Sequence, residues 1–307
     1  VTTLSTTGPS TGPPPGKGTS LTSVSLGRKV KDRSVQGLVY LAFALAVVPL
    51  VSVLWTVLVN GLERLDPTFF QFSMNAVSGS DPGGGAYHAV IGTLQQVAIC
   101  SAIAVPLSIL TAIYLVEYAG NGRLGKIISF TVDVMMGIPS IVAGLFVLAL
   151  WLLTLGFEFS GFAGALSLTI LMIPTVTRSA EEMLKLVPND LREASYALGV
   201  PRWRTVCFVV LPTALTGMIT GVMLAVARVM GETAPLLLTI FFTKAINNDP
   251  FNGPQASLPT FIWEQAADPS QNSIDRAWTG ALVLIGIIML LNLAARLVAR
   301  RTAAKSR

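Results

Sequence analysis

The chain has 307 residues, 12% charged and 52% hydrophobic, with a formal net charge of +5 and a mean hydropathy of +0.66. A soluble domain averages about 25% charged residues, so most of this surface faces something other than water. One His and two Cys make a usual zinc site improbable, and no basic-and-aromatic array of the kind that stacks bases is visible, which argues against nucleic-acid binding.

Residues 1–33 are rich in Ser, Thr, Pro and Gly and end in Arg28, Lys29, Lys31 and Arg33. This composition predicts a disordered tail that buries too little apolar surface to fold. Within it, Gly12-Pro13-Pro14-Pro15-Gly16-Lys17-Gly18-Thr19 departs from a phosphate-binding loop by one residue of spacing and by Gly18 after the Lys. From 34 to 307 a polytopic membrane domain is expected. A helix needs about 20 apolar residues to cross the hydrocarbon core, and six stretches qualify: Gln36–Val59, Ala89–Val116, Ile127–Leu155, Phe162–Thr177, Thr213–Phe242 and Trp278–Ala299. Pro106, Pro139, Pro174 and Pro235 mark candidate bends.

Cytoplasmic loops hold the excess of Lys and Arg. The two tails and the loops 117–126 and 178–212 carry nearly all of them, whereas the opposite loops carry only Arg64, Lys244 and Arg276. Both termini are therefore expected inside. The outer loops from Asn60 to His88 and from Thr243 to Ala277 are polar and turn-rich, suited either to plain connection or to docking a soluble partner. Cys100 and Cys207 fall at different membrane levels, so no disulfide is expected.

The loop 178–212 has its own architecture. Pro188 closes one helical stretch, and Asp190 followed by Glu193 resembles a capping arrangement. Leu191, Ala194, Ser195 and Leu198 recur on one helical face. Gly199 suits a left-handed helix end, and Pro201 suits the first position of a second helix. A helix of about nine residues is marginal alone in water, so it needs a partner surface.

The sequence Glu193-Ala194-Ser195, three residues, Gly199, nine residues, Val209-Val210-Leu211-Pro212 resembles the EAA loop of ABC importer permeases. Ser195 stands for the third residue of the motif's Glu-Ala-Ala, and Val209 for the Ile of its closing Ile-x-Leu-Pro. The string Arg228-Val229-Met230-Gly231-Glu232-Thr233-Ala234-Pro235-Leu236-Leu237 is similar to the phosphate permeases of the PstA type. The resemblance implies an all-α membrane fold of the type I importer class and no catalytic site or cofactor of its own. Implied partners are ATP-binding ABC subunits, a second homologous permease, and an extracytoplasmic phosphate-binding protein. In the loop it makes Glu193 and Gly199 the sensitive positions, within a docking segment of Arg192, Glu193, Ala194, Ser195, Tyr196 and Gly199.

The fifth stretch also holds two charges. Gly217, Gly221, Ala225, Arg228 and Glu232 fall within a sector of about 80° at helical periodicity, so the charges are expected to share the small-residue packing stripe. A charge at the bilayer centre costs about 2.5–3.5 kcal/mol on insertion scales. Arg228 and Glu232 therefore read either as a self-cancelling i, i+4 pair or as an anion contact tuned by a carboxylate. Asp133, close to the Ile138-Pro139-Ser140 string, is a further candidate on the substrate path, with an interfacial location. Rival readings are a permease for another oxyanion, such as sulfate or molybdate, and an ion-coupled secondary transporter.

Overall fold

The structure, a computed structural model, describes residues 26–120 and 122–305, with side chains except at 26, 30 and 298–305. Residues 1–25 of the expected tail lie outside the described residues, whereas residues 26–33, also read as tail, begin a helix. The chain divides into two units, Val1–Leu54 and Trp55–Arg307. The described part of the first is one helical stretch that continues through Pro49.

Among the described residues all regular structure is helical. Helix α1 runs Leu26–Leu62, α2 Tyr87–Ile113, α3 Arg123–Gly137, α4 Ser140–Val147, α5 Gly161–Lys185 and α6 Asn189–Ala197. They are followed by α7 Arg202–Thr205, α8 Leu211–Met230, α9 Ala234–Thr239, α10 Leu258–Ala267 and α11 Gln271–Lys305. Wider π-type turns extend α2 over Tyr114–Tyr118, extend α4 over Leu148–Thr154, and lead α7 into α8 over Val206–Val210. Among the described residues, five helices are long and apolar enough to span a membrane, or six if the bent pair α3 and α4 forms one span.

Two of the six expected stretches are broken. The third bends by 106° between Gly137 and Ser140, because Ile138 is extended and Pro139 is the cap of α4. The fifth ends as a helix at Met230 and resumes at Ala234 with Pro235 in its first turn. Pro106 and Pro174 instead lie within continuous helices. The broken elements meet: a Cβ on Gly144 of α4 would lie 2.6 Å from the Cα of Pro235 in α9.

Helix α5 is the most enclosed candidate span, with 67% of its most apolar stretch buried. It runs eight residues past the apolar stretch that ends at Thr177, in keeping with a helical stretch closed by Pro188, and Arg178, Glu181 and Lys185 pair along its surface. The main core gathers Val97, Cys100, Leu168, Met172, Val229 and Leu236 from four helices. Gly217 and Gly221 bring α8 against α5, where a Cβ would lie 2.2 Å from Met183 Sδ or 1.8 Å from Ser179 Oγ.

The segment after α9 is more than the polar surface loop that its sequence suggests. Gln255 is fully buried; its amide donates to Gln95 Oε1 at 2.6 Å and its carbonyl oxygen accepts from Gln96 Nε2 at 3.0 Å. Gly92 and Gly161 permit this approach, because a Cβ there would collide with the Ala256 carbonyl or the Gln255 side chain. The other long loop is held by arginines. Arg276, with no exposed surface, donates to the carbonyls of Gly79 (2.7 Å), Asp81 (2.8 Å) and Gly83 (3.0 Å) and to Gln265 Oε1 (2.7 Å). Arg64 donates to the carbonyls of Pro82 and Gly83. Acidic groups on these loops are tuned locally. The Asn252 amide and the Phe251 N–H keep the Asp249 carboxyl below the usual carboxylate range, whereas burial raises Glu264 against the opposing charge of Lys244.

Candidate functional sites: the α6–α7 loop and the helix breaks

Helix α6 ends in the turn that its glycine predicts. Gly199 has φ +74°, its N–H donates to Tyr196 O at 2.9 Å, and Val200 N–H donates to Ser195 O at 3.2 Å. This pair of bonds is the Schellman pattern, which closes orphan carbonyls at a helix end. No atom lies within 4 Å of a Cβ built at Gly199, so the requirement for glycine is conformational and not steric. The start of α6 differs from expectation: Pro188 is the cap, and no side chain caps the helix, so Asp190 and Glu193 form no capping arrangement. Pro201 likewise caps α7 and does not occupy its first helical position.

Across the turn, Ser195 Oγ and Thr205 Oγ1 share a hydrogen bond of 2.8 Å between buried groups. The hydroxyl therefore has a use that an alanine would lack. Glu193, Ala194 and Tyr196 are exposed, and Ala194 lines an open groove of about 440 Å³ together with Leu191, Leu198, Phe208 and Val209 among others. Leu198 is 84% exposed and Phe208 73%, so this apolar surface finds no cover among the described residues.

Arg192 behaves differently from its neighbours. Its guanidinium turns into the protein and donates to Glu117 Oε1 at 2.9 and 3.1 Å, Leu184 O at 2.9 Å, Val187 O at 2.6 Å and Asn189 Oδ1 at 3.2 Å. Glu117 lay outside the candidates drawn from sequence. Its signal was a carboxylate at the end of an apolar stretch with no partner nearby in sequence.

The second candidate region surrounds the two helix breaks. Arg228 lies in the last turn of α8, and Glu232 lies in the break itself. Their closest approach is 3.9 Å between Arg228 Nε and Glu232 Oε1, with side-chain exposures of 58% and 18%. The expectation of one continuous face carrying both charges is thus corrected: Gly217, Gly221 and Ala225 pack inward, while Arg228 projects from the chain. Asp133 is tied up more firmly. Its Oδ1 accepts from Arg178 at 2.6 and 3.0 Å, and Arg178 also reaches Ser129 O and Glu181. Arg178, which the sequence reading passed over, is the hub of this network. No group of three or more metal-ligating side chains occurs among the described residues.

Residues 104–304 match the family of binding-protein-dependent transport system inner membrane components. The phosphate transport system permease protein PstA 1 of Mycobacterium tuberculosis H37Rv is 45% identical over 276 residues, covering 90% of this chain and 89% of its own. The PstA protein of Mycobacterium leprae is 43% identical over 282 residues, 91% of this chain and 92% of its own. That of Pasteurella multocida Pm70 is 37% identical over 270 residues, 88% and 95%. Among solved structures, an alginate-importing bacterial ABC transporter superposes with a TM-score of 0.62 at 13% identity, over 89% of this chain and 99% of its own. The inward-facing methionine transporter MetNI gives 0.55 at 21%, over 71% and 94%. These two likenesses show the fold, which is that of type I ABC importer permeases. With a family match over residues 104–304 and relatives above 40% identity across nine-tenths of its length, the chain belongs to the binding-protein-dependent transport system inner membrane components, the multi-pass permeases of ABC importers.

Proposed function

We propose that this chain is a permease subunit of an ATP-driven importer of inorganic phosphate. The observation that carries the reading is the short α6 helix, closed by Gly199 and flanked by an uncovered apolar groove, in a chain 45% identical to a phosphate permease. Arg192 and Ser195 fasten this nine-residue helix to its own chain, and its apolar groove is the surface left for a partner. The groove and the exposed residues of α6, Glu193 and Tyr196 among them, form the docking site for an ATP-hydrolysing subunit. Closure of the ATPases moves α6, and the spans open the path to either side in turn, so this subunit carries out no chemistry on its substrate.

A second permease subunit and an extracytoplasmic phosphate-binding protein complete the importer. The N- and C-termini and the α6–α7 loop lie on the cytoplasmic side. Arg228 meets the anion in transit, since a planar guanidinium matches phosphate oxygens and this one is held only loosely by Glu232. The test is to express the chain with its ATPase, purify the complex, and follow phosphate entry into vesicles carrying the binding protein. ATP-dependent phosphate uptake that sulfate and molybdate leave unaffected supports the reading. Accumulation driven by an ion gradient without any ATPase overturns it in favour of a secondary transporter.

A further inference from the structure

The docking loop is tied to the membrane domain through the π-type turn Tyr114–Tyr118 that ends α2. Two adjacent residues of this turn each receive an arginine, one from each half of the loop. Glu117 Oε1 accepts twice from Arg192 of α6, at 2.9 and 3.1 Å, and the Tyr118 ring lies 5.2 Å from the guanidinium of Arg202 in α7. The Ser195–Thr205 hydrogen bond closes the triangle between α6 and α7.

The first of these contacts is a saturated site. The bonds of Arg192 to Glu117, Leu184 O, Val187 O and Asn189 Oδ1 use all five N–H donors that a guanidinium offers. The side chains are 12% exposed for Arg192 and 3% for Glu117. Loss of one partner from a buried pair of this kind loosens the contact, because the remaining charge is left without compensation. Its geometry also holds three elements at fixed relation: the end of α2, the C-terminal end of α5 and the first turn of α6. A helix attached this way cannot tilt or slide without carrying α2 and α5 with it. Insertions of π type into helices recur at functional positions, and here the widened turn is the one that presents both acceptors.

We infer that Glu117 is the positioning residue through which movement of the docked loop reaches α2. Arg192 thereby serves as the strut of the loop and not as part of its docking face. The inference rests on the proposed coupling to an ATPase but not on the identity of the solute. A load path of this kind makes a claim that mere stabilisation does not: loosening the strut separates ATP hydrolysis from transport in a complex that still assembles.

The experiment uses the purified whole complex in vesicles. It compares wild type, Glu117→Gln and the exchanged pair Glu117→Arg with Arg192→Glu. Assembly is read by copurification of the ATPase, and coupling by two ratios: the stimulation of ATP hydrolysis by the loaded binding protein, and phosphate delivered per ATP consumed. Glu117→Gln is expected to assemble and to lose about tenfold in both ratios, within the span of ordinary coupling energies. The exchanged pair is expected to regain part of the loss. An assembled Glu117→Gln complex with wild-type ratios overturns the inference. If Glu117→Gln does not assemble, the exchanged pair decides: recovery of assembly without recovery of the ratios also overturns it. A wild-type complex whose hydrolysis is stimulated by a binding protein loaded with another oxyanion overturns the phosphate reading, while the stimulation ratio still tests the strut.

Discussion

Arg228 is held at 3.9 Å from Glu232 with more than half of its side chain exposed, and this geometry bears on what its removal should do. A loose, exposed pair contributes about 0–1 kcal/mol to stability, so Arg228→Gln should leave membrane insertion and ATPase copurification intact. Phosphate uptake should nonetheless fall to background, because the charge-assisted bonds that offset desolvation of the anion are gone. The double variant Arg228→Gln with Glu232→Gln should stay inactive; restored uptake in it would return the two residues to a structural pair. Glu193 argues differently, since it is exposed on α6 and free of the ties that hold Arg192. Glu193→Lys is expected to weaken ATPase association at least several-fold in a pull-down, with insertion unchanged. Asp133 carries no comparable expectation, because Arg178 already occupies it through two hydrogen bonds.

At the scale of elements, the turn after α6 makes the cleanest test. Gly199 has positive φ in open space, so substitutions there separate backbone strain from crowding. Gly199→Val should cost about 1–3 kcal/mol locally and block uptake through loss of the helix end. Gly199→Asn, which enters the left-handed region readily, should retain most uptake; equal loss in both variants would mean that the turn is not what matters. A second test lies in α10. Glu264 is raised by burial, with Lys244 at 3.7 Å and its Oε2 without a hydrogen-bond partner. The fold therefore prefers the protonated form, and the stability associated with it is lost as pH rises through the raised value. Glu264→Gln should flatten this dependence in thermal unfolding of the purified protein and stabilise it by up to about 1 kcal/mol at neutral pH.

These elements also show where reading the sequence succeeds. The turn from α6 into α7 was legible because a left-handed glycine is a local rule about a helix end, although Asp190 and Glu193 form no cap and Pro201 stands one place earlier than expected. The breaks at Ile138-Pro139 and Gly231–Thr233 were not, since Pro106 and Pro174 look alike in sequence yet lie inside unbroken helices. What decides among them is tertiary: α4 and α9 pack on one another through Gly144 and Pro235. The inward turn of Arg192 was hidden for a related reason: its charge reads as a sign of water, whereas Glu117 pairs it within the protein.

For the whole molecule, the side-chain ties sort the loops into two sets. Arg192 binds Glu117, so the end of α2 and helix α6 share one side. Arg64 and Arg276 both hold the loop around Pro82 and Gly83, so the end of α1 and the start of α11 share another. Lys and Arg abound on the first side, which the bias of cytoplasmic loops assigns to the interior. Single cysteines test this assignment in a chain whose exposed Cys207 is first changed to Ser and whose Cys100 is changed to Ala. Ser80 and Asn252, both exposed, should react with a membrane-impermeant maleimide added to intact cells, whereas Asn189 should react only after the membrane is opened. A cysteine at Gln255, which sequence alone places on the outer loop, should stay unlabelled in both conditions, because the loop carries that residue into the bundle against Gln95 and Gln96. Labelling of Asn189 from outside would invert the topology, and with it the docking of an ATPase on α6.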